Sequence, residues 1–261
     1  MSGPRSTMRF EERRPECSTD TQHVVNLSAY RWAMQILEGV APMRVLDAAC
    51  GTGYGSFALA ARAGLVVGVD RDLPTVEQAR RRYRRPNLSF LPMDCTDLAF
   101  AYSSFDAVLS LETIEHVADD RRFLQEVTRV LTSDGWLVLS TPHGGTPGVV
   151  PDNPFHYREY GWDELRALLG TYFQSVRLFG RRLGPRLARL ERELDGVRRL
   201  DPWGLRRLLP RGLRHRIANL ISRSWRGIGL EDVTTADVEY CEGLTLTPTL
   251  LAVCRGRVGR V

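Results

Sequence analysis

Two carboxylates and an imidazole stand close together in the stretch Leu111-Glu112-Thr113-Ile114-Glu115-His116-Val117. Glu112, Glu115 and His116 are spaced i, i+3 and i+4, so a helical turn beginning at Glu112 would place all three side chains on one face. Clustering such groups is costly unless a cation shares them, and oxygen with imidazole ligands suits Mg²⁺, Mn²⁺ or a related divalent ion. The pattern predicts a metal centre. The alternative is a helix-capping glutamate with His116 acting as a base or only packing.

The stretch 44–56 has the composition of a ligand-binding turn. It begins as a short buried strand with Asp47 near its end, and a helical pattern follows the glycines at 51, 53 and 55. A glycine turn between a strand and a helix lets a ligand approach the backbone, where the helix start presents unpaired N–H groups. The glycines fall at alternate residues, which does not fit the dinucleotide pattern Gly-x-Gly-x-x-Gly.

An acidic residue follows the next predicted strand, Leu65 to Val69. Asp70 stands 19 residues after Gly51, and an acid at the end of the second strand can hold a ribose through two hydroxyl-to-carboxylate bonds. Arg71 would then lie over the adenine face. The alternative is that Asp70 caps the following helix, whose Pro74 suits a first turn. Ribose binding is favoured because the loop and the acid occur together.

The motif Asp47-x-x-x-Gly51-x-Gly53 resembles the first motif of the class I S-adenosylmethionine-dependent methyltransferases. The resemblance covers roughly residues 40–180 and implies an α/β fold with a doubly wound, seven-stranded Rossmann-like methyltransferase sheet. It also implies that the loop, including the backbone of Ala49, lies under the methionine half of S-adenosyl-L-methionine. No pyrophosphate has to be held there.

The same resemblance assigns further residues to the cofactor. Asp94, after the predicted strand Leu88 to Met93, corresponds to a carboxylate that accepts a hydrogen bond from the adenine amino group, and the N–H of Cys95 reaches a ring nitrogen. An ordinary turn aspartate is the alternative for Asp94, and Asp97 is a competing candidate for the same role. Ser110, at the end of the fourth predicted strand, is also assigned to the cofactor site.

A helical pattern from Ser18 to about Gly39 corresponds to the helix that closes over the cofactor in the resembling family. The guanidinium of Arg31 would pair with the methionine carboxylate. A solvated helix face is an equally open interpretation of this arginine.

The pattern Glu112-x-x-Glu115-His116 also resembles two metal-using branches, the small-RNA 2′-O-methyltransferases and the ubiquinone-pathway O-methyltransferases. In the RNA branch a further histidine completes the site, and His156 is its counterpart here. The implied Mg²⁺ or Mn²⁺ ligands are thus Glu112, Glu115, His116 and His156, and the metal would lower the pKa of a substrate hydroxyl. His143 stands where the family usually has asparagine, and it is a second candidate base beside His116.

A closer likeness is to bacterial methyltransferases found with polysaccharide, glycolipid and antibiotic assembly enzymes. It rests on the segments Tyr30-Arg31, Cys50 to Ser56, Glu112-x-x-Glu115-His116, Asn153 to His156 and Val233 to Asp237. This likeness implies methyl transfer to a sugar hydroxyl of a small-molecule acceptor. RNA 2′-O-methylation and phenol O-methylation of a quinone type are alternatives, and a non-catalytic nucleotide-binding protein is an alternative of another class.

Length and composition predict one catalytic domain with an elaboration, because 261 residues are short for two full domains. The expected divisions are an N-terminal segment with the closing helix (1–39), the methyltransferase core (40–180), a basic helical insert (181–228) and a C-terminal strand completing the sheet (229–261). No run approaches the roughly 20 apolar residues of a membrane span, and the polar N-terminus is unlike a signal peptide. Five dispersed cysteines indicate neither zinc nor disulfides. A cytoplasmic protein is expected.

The basic charge is concentrated in the predicted insert. All 36 basic residues are arginine, and residues 181–226 hold 14 of them against four acids, which leaves about −5 for the rest of the chain (22 basic minus 27 acidic). Interpretations of the insert are, in order of preference, a lid or homodimer element, a patch for an anionic substrate, and a surface for membrane or nucleic acid. Nucleic acid is disfavoured because few aromatic residues interleave with the arginines.

Overall fold

The computed structural model describes residues 21–38, 43–144, 153–189, 234–245 and 247–259. Its strands are β1 Arg44–Ala48, β2 Leu65–Asp70, β3 Leu88–Pro92, β4 Phe105–Leu111, β5 Leu131–Pro142, β6 Phe173–Leu183, β7 Val238–Glu242 and β8 Thr249–Arg257. Its helices are α1 Thr21–Ile36, α2 Tyr54–Leu59, α3 Leu73–Arg82, α4 Asp120–Val130 and α5 Trp162–Gly170, with 3₁₀ turns at Ile114–His116 and Thr235–Asp237.

These strands form one mixed sheet in the order β3-β2-β1-β4-β5-β8-β6-β7. Strands β1 to β5 pair in parallel, and β8 lies antiparallel between β5 and β6. The predicted fold class is confirmed. The described sheet has one strand more than predicted, because β7 adds a short strand after β6 in the sheet order.

The parallel strands are apolar on both faces because helices cover both faces of the sheet. Successive side chains of a strand point to opposite faces. On one face Val45 and Leu109 pack with residues of α1 and α2. On the other face Leu46, Val108 and Leu137 pack with α4 and α5. We call these the α1 face and the α4 face, and the distinction decides where the candidate site residues lie.

The described residues belong to two compact units. Among the described residues, one unit comprises 29–38, 43–144, 153–181, 240–245 and 247–259 and holds the candidate site residues. The other comprises 21–28, 182–189 and 234–239. In its described part Arg182 pairs with Glu239, and the N–H of Gly184 donates to the carbonyl of Asp237 at 2.7 Å.

Most of the predicted basic insert (181–228) lies outside the described residues. Of its described part, 181–183 form the end of β6 and 185–189 are helical. The division of the chain into four segments therefore stays a prediction. Among the residues described, no helix has both the length and the apolarity needed to cross a membrane. Four of the cysteines are described, and all four are free thiols: Cys50, Cys95, Cys241 and Cys254.

Candidate active site

The neighbouring ends of β1 and β4 mark the point where the sheet order reverses. β1 leads to β2 on one side, while β4 lies on its other side and continues toward β5. Connections that leave in opposite directions open a crevice at the carboxyl ends of the strands, where ligands bind in such sheets. Ala49 and Glu112, which follow these two strands, have positive φ angles of 63° and 52°. Two of the three described non-glycine residues with this rare conformation thus flank the crevice.

The loop after β1 is held close to the neighbouring helix and strand. Gly51 and Gly53 have φ angles of 54° and 84°. A Cβ on Gly53 would lie 2.7 Å from the ring of Phe90, whereas a Cβ on Gly51 would meet nothing within 4 Å. The hydroxyl of Thr52 is buried and has no hydrogen-bond partner in the described structure. Gly53 is therefore needed for packing, while Gly51 borders open space that a ligand can use.

Asp70 connects the end of β2 to this loop. Its Oδ2 accepts a hydrogen bond from the N–H of Gly51 at 2.9 Å, and its Oδ1 accepts one from the N–H of Asp72 at 2.9 Å. Each carboxylate oxygen has a second lone pair, so the group can still accept bonds from two hydroxyls. Asp72, not Asp70, caps α3 by accepting from the N–H of Thr75. The capping alternative for Asp70 is therefore wrong.

Asp47 lies beneath the loop and is fully buried. Its Oδ2 accepts from the hydroxyl of Ser56 at 2.5 Å, and its Oδ1 accepts from the hydroxyl of Tyr30 at 3.2 Å. Burial raises the pKa of Asp47 to about 7, against the lowering effect of these two bonds. In this arrangement Asp47 joins the end of β1 to α1 and α2. Sequence reasoning named Tyr30 and Ser56 only within segments that carry the resemblance and gave neither a role at the site, because neither role shows in a local pattern.

Replacing Asp47 by asparagine is expected to flatten the pH dependence of stability. Because its pKa is raised from 3.8 to about 7 by folding, the native state retains a proton that the unfolded chain releases. The contribution of Asp47 is complete below pH 4 and is lost as the pH rises through about 7. We expect the wild-type free energy of unfolding to fall by up to about 1.4 kcal/mol per pH unit in that window, relative to Asp47→Asn. Urea titrations of both proteins at pH 5, 6, 7 and 8 measure this difference, and parallel pH curves would contradict it.

The other predicted cofactor residues lie at the same edge of the sheet or on α1. Asp94 is exposed and its Oδ1 accepts from the N–H and hydroxyl of Thr96, both at 2.8 Å, as in the turn interpretation. Burial raises the pKa of the Cys95 thiol to about 12. The hydroxyl of Ser110 donates to the carbonyl of Ala48 at 3.2 Å, joining β4 to β1.

The two arginines predicted to bind the cofactor, Arg31 and Arg71, are both exposed. On α1 it is the preceding residue, Tyr30, that packs against the loop. The ion pair of Arg31 with a methionine carboxylate and the stacking of Arg71 on adenine stay predictions.

The two glutamates of the predicted metal site point to opposite faces of the sheet. Glu112 Oε1 accepts a hydrogen bond from the hydroxyl of Ser140 at 2.7 Å. Glu115 Oε2 accepts one from the hydroxyl of Thr141 at 2.9 Å. Ser140 and Thr141 are consecutive residues of β5 and therefore face opposite sides. The prediction that Glu112, Glu115 and His116 share one face is wrong, because the helical turn begins only at Ile114.

Three of the four predicted metal ligands, Glu115, His116 and His156, do come together on the α4 face. One ligand atom from each lies within 4.8 Å of the others. Burial, followed by the charge of Glu112, raises the pKa of Glu115. The imidazole Nδ1 of His116 is 3.1 Å from the carbonyl of Phe155, to which it must donate.

Both nitrogens of His156 already have partners. Nδ1 lies 2.6 Å from Glu159 Oε1, and Nε2 lies 3.0 Å from the amide nitrogen of Asn153, whose oxygen accepts from the N–H of Phe155. A metal at Nε2 would have to displace Asn153, and a metal at Nδ1 would have to displace Glu159. The described residues therefore do not fit the predicted four-ligand centre, since Glu112 is on the other face and His156 is engaged.

His143, the second candidate base, lies at the end of β5. Its Nδ1 is 3.0 Å from the carbonyl of Thr247, and its backbone N–H donates to the carbonyl of Pro248 at 3.0 Å. Because a carbonyl only accepts, Nδ1 carries the proton and Nε2 is the basic nitrogen of the neutral ring. The structure thus leaves His143 chemically able to accept a proton, one strand beyond Glu112 in the sheet order.

Comparison with known proteins agrees with this geometry. The family described as "Methyltransferase domain" matches residues 46–139. A probable S-adenosylmethionine-dependent methyltransferase of Mycobacterium tuberculosis (strain ATCC 25618 / H37Rv) is 41% identical over 147 residues, 55% of this chain and 53% of that protein. A demethylmenaquinone methyltransferase of Clavibacter sepedonicus is 39% identical over 118 residues, 42% of this chain and 48% of that protein. The matched region thus spans about half the length of these relatives.

Solved structures support the fold. A Thermotoga maritima S-adenosylmethionine-dependent methyltransferase, a possible histamine N-methyltransferase, has a TM-score of 0.59 at 16% identity and covers 90% of this chain and 91% of its own. The [4+2]-cyclase SpnF has a TM-score of 0.55 at 18% identity, covering 88% and 82%. A fold shared with a cyclase does not establish methyl transfer. Residues 46–139, which include the glycine loop and Asp70, are nevertheless similar to a methyltransferase domain.

Proposed function

We propose that this protein transfers the methyl group of S-adenosyl-L-methionine to a hydroxyl oxygen of a small-molecule acceptor. The observation that carries the proposal is the hydrogen bond from the Gly51 N–H to Asp70, which brings an open glycine loop and a carboxylate that can accept two hydroxyls together at the reversal of the sheet order. Calorimetric titration with S-adenosylhomocysteine tests the pocket, and transfer of a radiolabelled methyl group tests turnover. A protein that binds without turnover would be the non-catalytic alternative.

The residues on the α1 face fit the parts of this cosubstrate. Asp70 can accept both ribose hydroxyls, and the open side of Gly51 leaves room for the chain that joins the nucleoside to the methionine group. When bound, the cosubstrate supplies an electrophilic methyl group on a sulfonium. The protein's part is to hold donor and acceptor at near-attack distance and to exclude water from them.

We propose a sugar hydroxyl as the acceptor, on the resemblance to enzymes of polysaccharide and antibiotic assembly. A phenolic hydroxyl of a quinol is the second candidate, because a similar protein is named a ubiquinone biosynthesis O-methyltransferase, at 28% identity over 131 residues. Parallel assays with a methyl glycoside and a hydroquinone, each with labelled S-adenosylmethionine, discriminate between them. Label in the hydroquinone alone would refute the sugar proposal.

In this proposal a divalent ion could bind only to Glu115, His116 and His156 on the α4 face, among the described residues. Because Glu112 lies on the other face, we expect no metal to hold the reacting hydroxyl. Treatment with EDTA, followed by gel filtration, should leave the initial rate of methyl transfer within about twofold of the untreated enzyme, since metal assistance is worth several kcal/mol when it operates. A loss of tenfold or more that Mn²⁺ or Mg²⁺ restores would establish the metal mechanism instead.

A further inference from the structure

The carboxylate of Glu112 lies on the α1 face, at the end of the strand beside β1. Register pairs Asp47 with Leu109, so β1 and β4 run side by side toward their ends at Ala48 and Leu111. The hydroxyl of Ser140, on the same face as Val138, donates to Glu112 Oε1 at 2.7 Å. Asp47, Tyr30 and the glycine loop are on this face as well. Glu112 is therefore on the side of the sheet where the proposed methyl donor binds.

The backbone of Glu112 is held in a conformation that glutamate disfavours. Its φ of 52° is left-handed, which costs a non-glycine residue roughly 1–3 kcal/mol. The N–H of Glu112 donates to the carbonyl of Ser140 and to its hydroxyl oxygen, both at 3.0 Å, so the neighbouring strand maintains this conformation. Glycine would adopt this conformation without the steric strain. A glutamate at this position is explained if its side chain has a function.

We propose that Glu112 is the catalytic base, accepting the proton of the acceptor hydroxyl. The inference rests on the proposed function. As the hydroxyl oxygen bonds to the methyl carbon, the carbon–sulfur bond breaks, its electron pair stays on the sulfur, and the hydroxyl proton passes to the Glu112 carboxylate. The products are a methyl ether, S-adenosylhomocysteine and a protonated Glu112. His116 is on the α4 face with Glu115, which disfavours it for this step.

Glu112→Gly separates a catalytic role from a structural one. Because glycine relieves the left-handed strain, the melting temperature should rise by about 2–4 °C. The kcat for the methyl glycoside or hydroquinone that the wild type methylates should fall by at least about 100-fold, as expected for loss of a general base. Affinity for S-adenosylhomocysteine should stay within threefold, and added formate should restore part of the rate.

Ser103→Gly is the matched control. Ser103 has a φ of 59° and precedes β4 at the opposite end of that strand. The change should also raise the melting temperature and leave kcat unaltered. Glu112→Gln, which keeps an oxygen for the Ser140 hydroxyl, should lose as much activity as Glu112→Gly.

The outcomes are distinguishable. If Glu112→Gly or Glu112→Gln retains more than a third of the wild-type kcat, Glu112 is not the base. The same conclusion follows if Glu112→Gly lowers the melting temperature and formate does not rescue it, because the loss would then be structural. If the wild type binds S-adenosylhomocysteine but methylates neither probe, the proposed function fails and the base assignment falls with it.

Discussion

Asp70→Ala is expected to lower the affinity for S-adenosylhomocysteine by at least about 100-fold. The variant would lose the hydrogen bonds from two ribose hydroxyls to the carboxylate, and a hydrogen bond to a charged group is worth about 1.5–3 kcal/mol. The change also removes the acceptor of the Gly51 N–H and so loosens the loop. Asp70 is only 8% exposed, so water has little access to replace the carboxylate as a hydrogen-bond acceptor in the variant. Isothermal titration calorimetry measures the loss directly.

Asp72→Ala provides a matched control for this prediction. Asp72 is an acid two residues further on, and it caps α3 by accepting from the N–H and hydroxyl of Thr75. Its removal should cost about 1 kcal/mol of stability, as loss of an N-cap does, and leave affinity within about twofold. If Asp70→Ala binds S-adenosylhomocysteine within threefold of the wild type, or if both variants lose affinity equally, Asp70 does not hold the ribose.

Local sequence patterns were sufficient for the parts of the site that are built by neighbouring residues. The strand, glycine turn and helix of residues 44–59 follow one another without a gap, so periodicity and glycine spacing predict them. Asp70 ends the next strand, and parallel strands bring their carboxyl ends to one edge. These features do not depend on contacts between residues that are distant in the sequence.

The separation of Glu112 from Glu115 could not be predicted in this way. The i, i+3 rule assumes a helix, but the chain leaves β4 through a left-handed residue before the 3₁₀ turn begins. The face of each carboxylate is then chosen by a hydroxyl on β5, from Ser140 or Thr141, 28 or 26 residues away. Spacing within seven residues contains no information about that partner. Strand β7 was missed for a related reason, since Val-Glu-Tyr-Cys-Glu lacks an apolar run.

Gly55 has a different structural role from the ligand-binding one that its spacing predicts. Sequence reasoning placed it in the ligand loop with Gly51 and Gly53, but it lies in the first turn of α2. A Cβ at this position would overlap the ring of Tyr30. The glycine makes room for the aromatic ring whose hydroxyl donates to Asp47, so it serves the attachment of α1 to the loop.

Gly55→Ala is therefore expected to destabilise the protein by about 2–3 kcal/mol, because the new methyl group overpacks the Tyr30 site. The sign is unusual, since alanine in place of a helical glycine ordinarily stabilises by about 1 kcal/mol. Displacing the ring would also break the hydrogen bond from Tyr30 to Asp47. Of the two hydroxyls that donate to this buried carboxylate in the described structure, the one of Ser56 would remain. Urea denaturation monitored by circular dichroism measures the free energy of unfolding.

A double-mutant cycle with Tyr30→Ala assigns the cause. Tyr30→Ala alone should cost about 3–5 kcal/mol, as removal of a buried aromatic side chain does. With the ring gone, Gly55→Ala meets no obstacle from it and should be neutral or stabilising by up to about 1 kcal/mol, so the two changes would couple by about 2–4 kcal/mol. An equal cost of Gly55→Ala in both backgrounds would show that Tyr30 is not what excludes a side chain. It would also show that Gly55 is not needed for the packing of α1. The hydrogen bond from Tyr30 to Asp47 requires the Tyr30 ring to lie over Gly55, and that position would then tolerate a side chain.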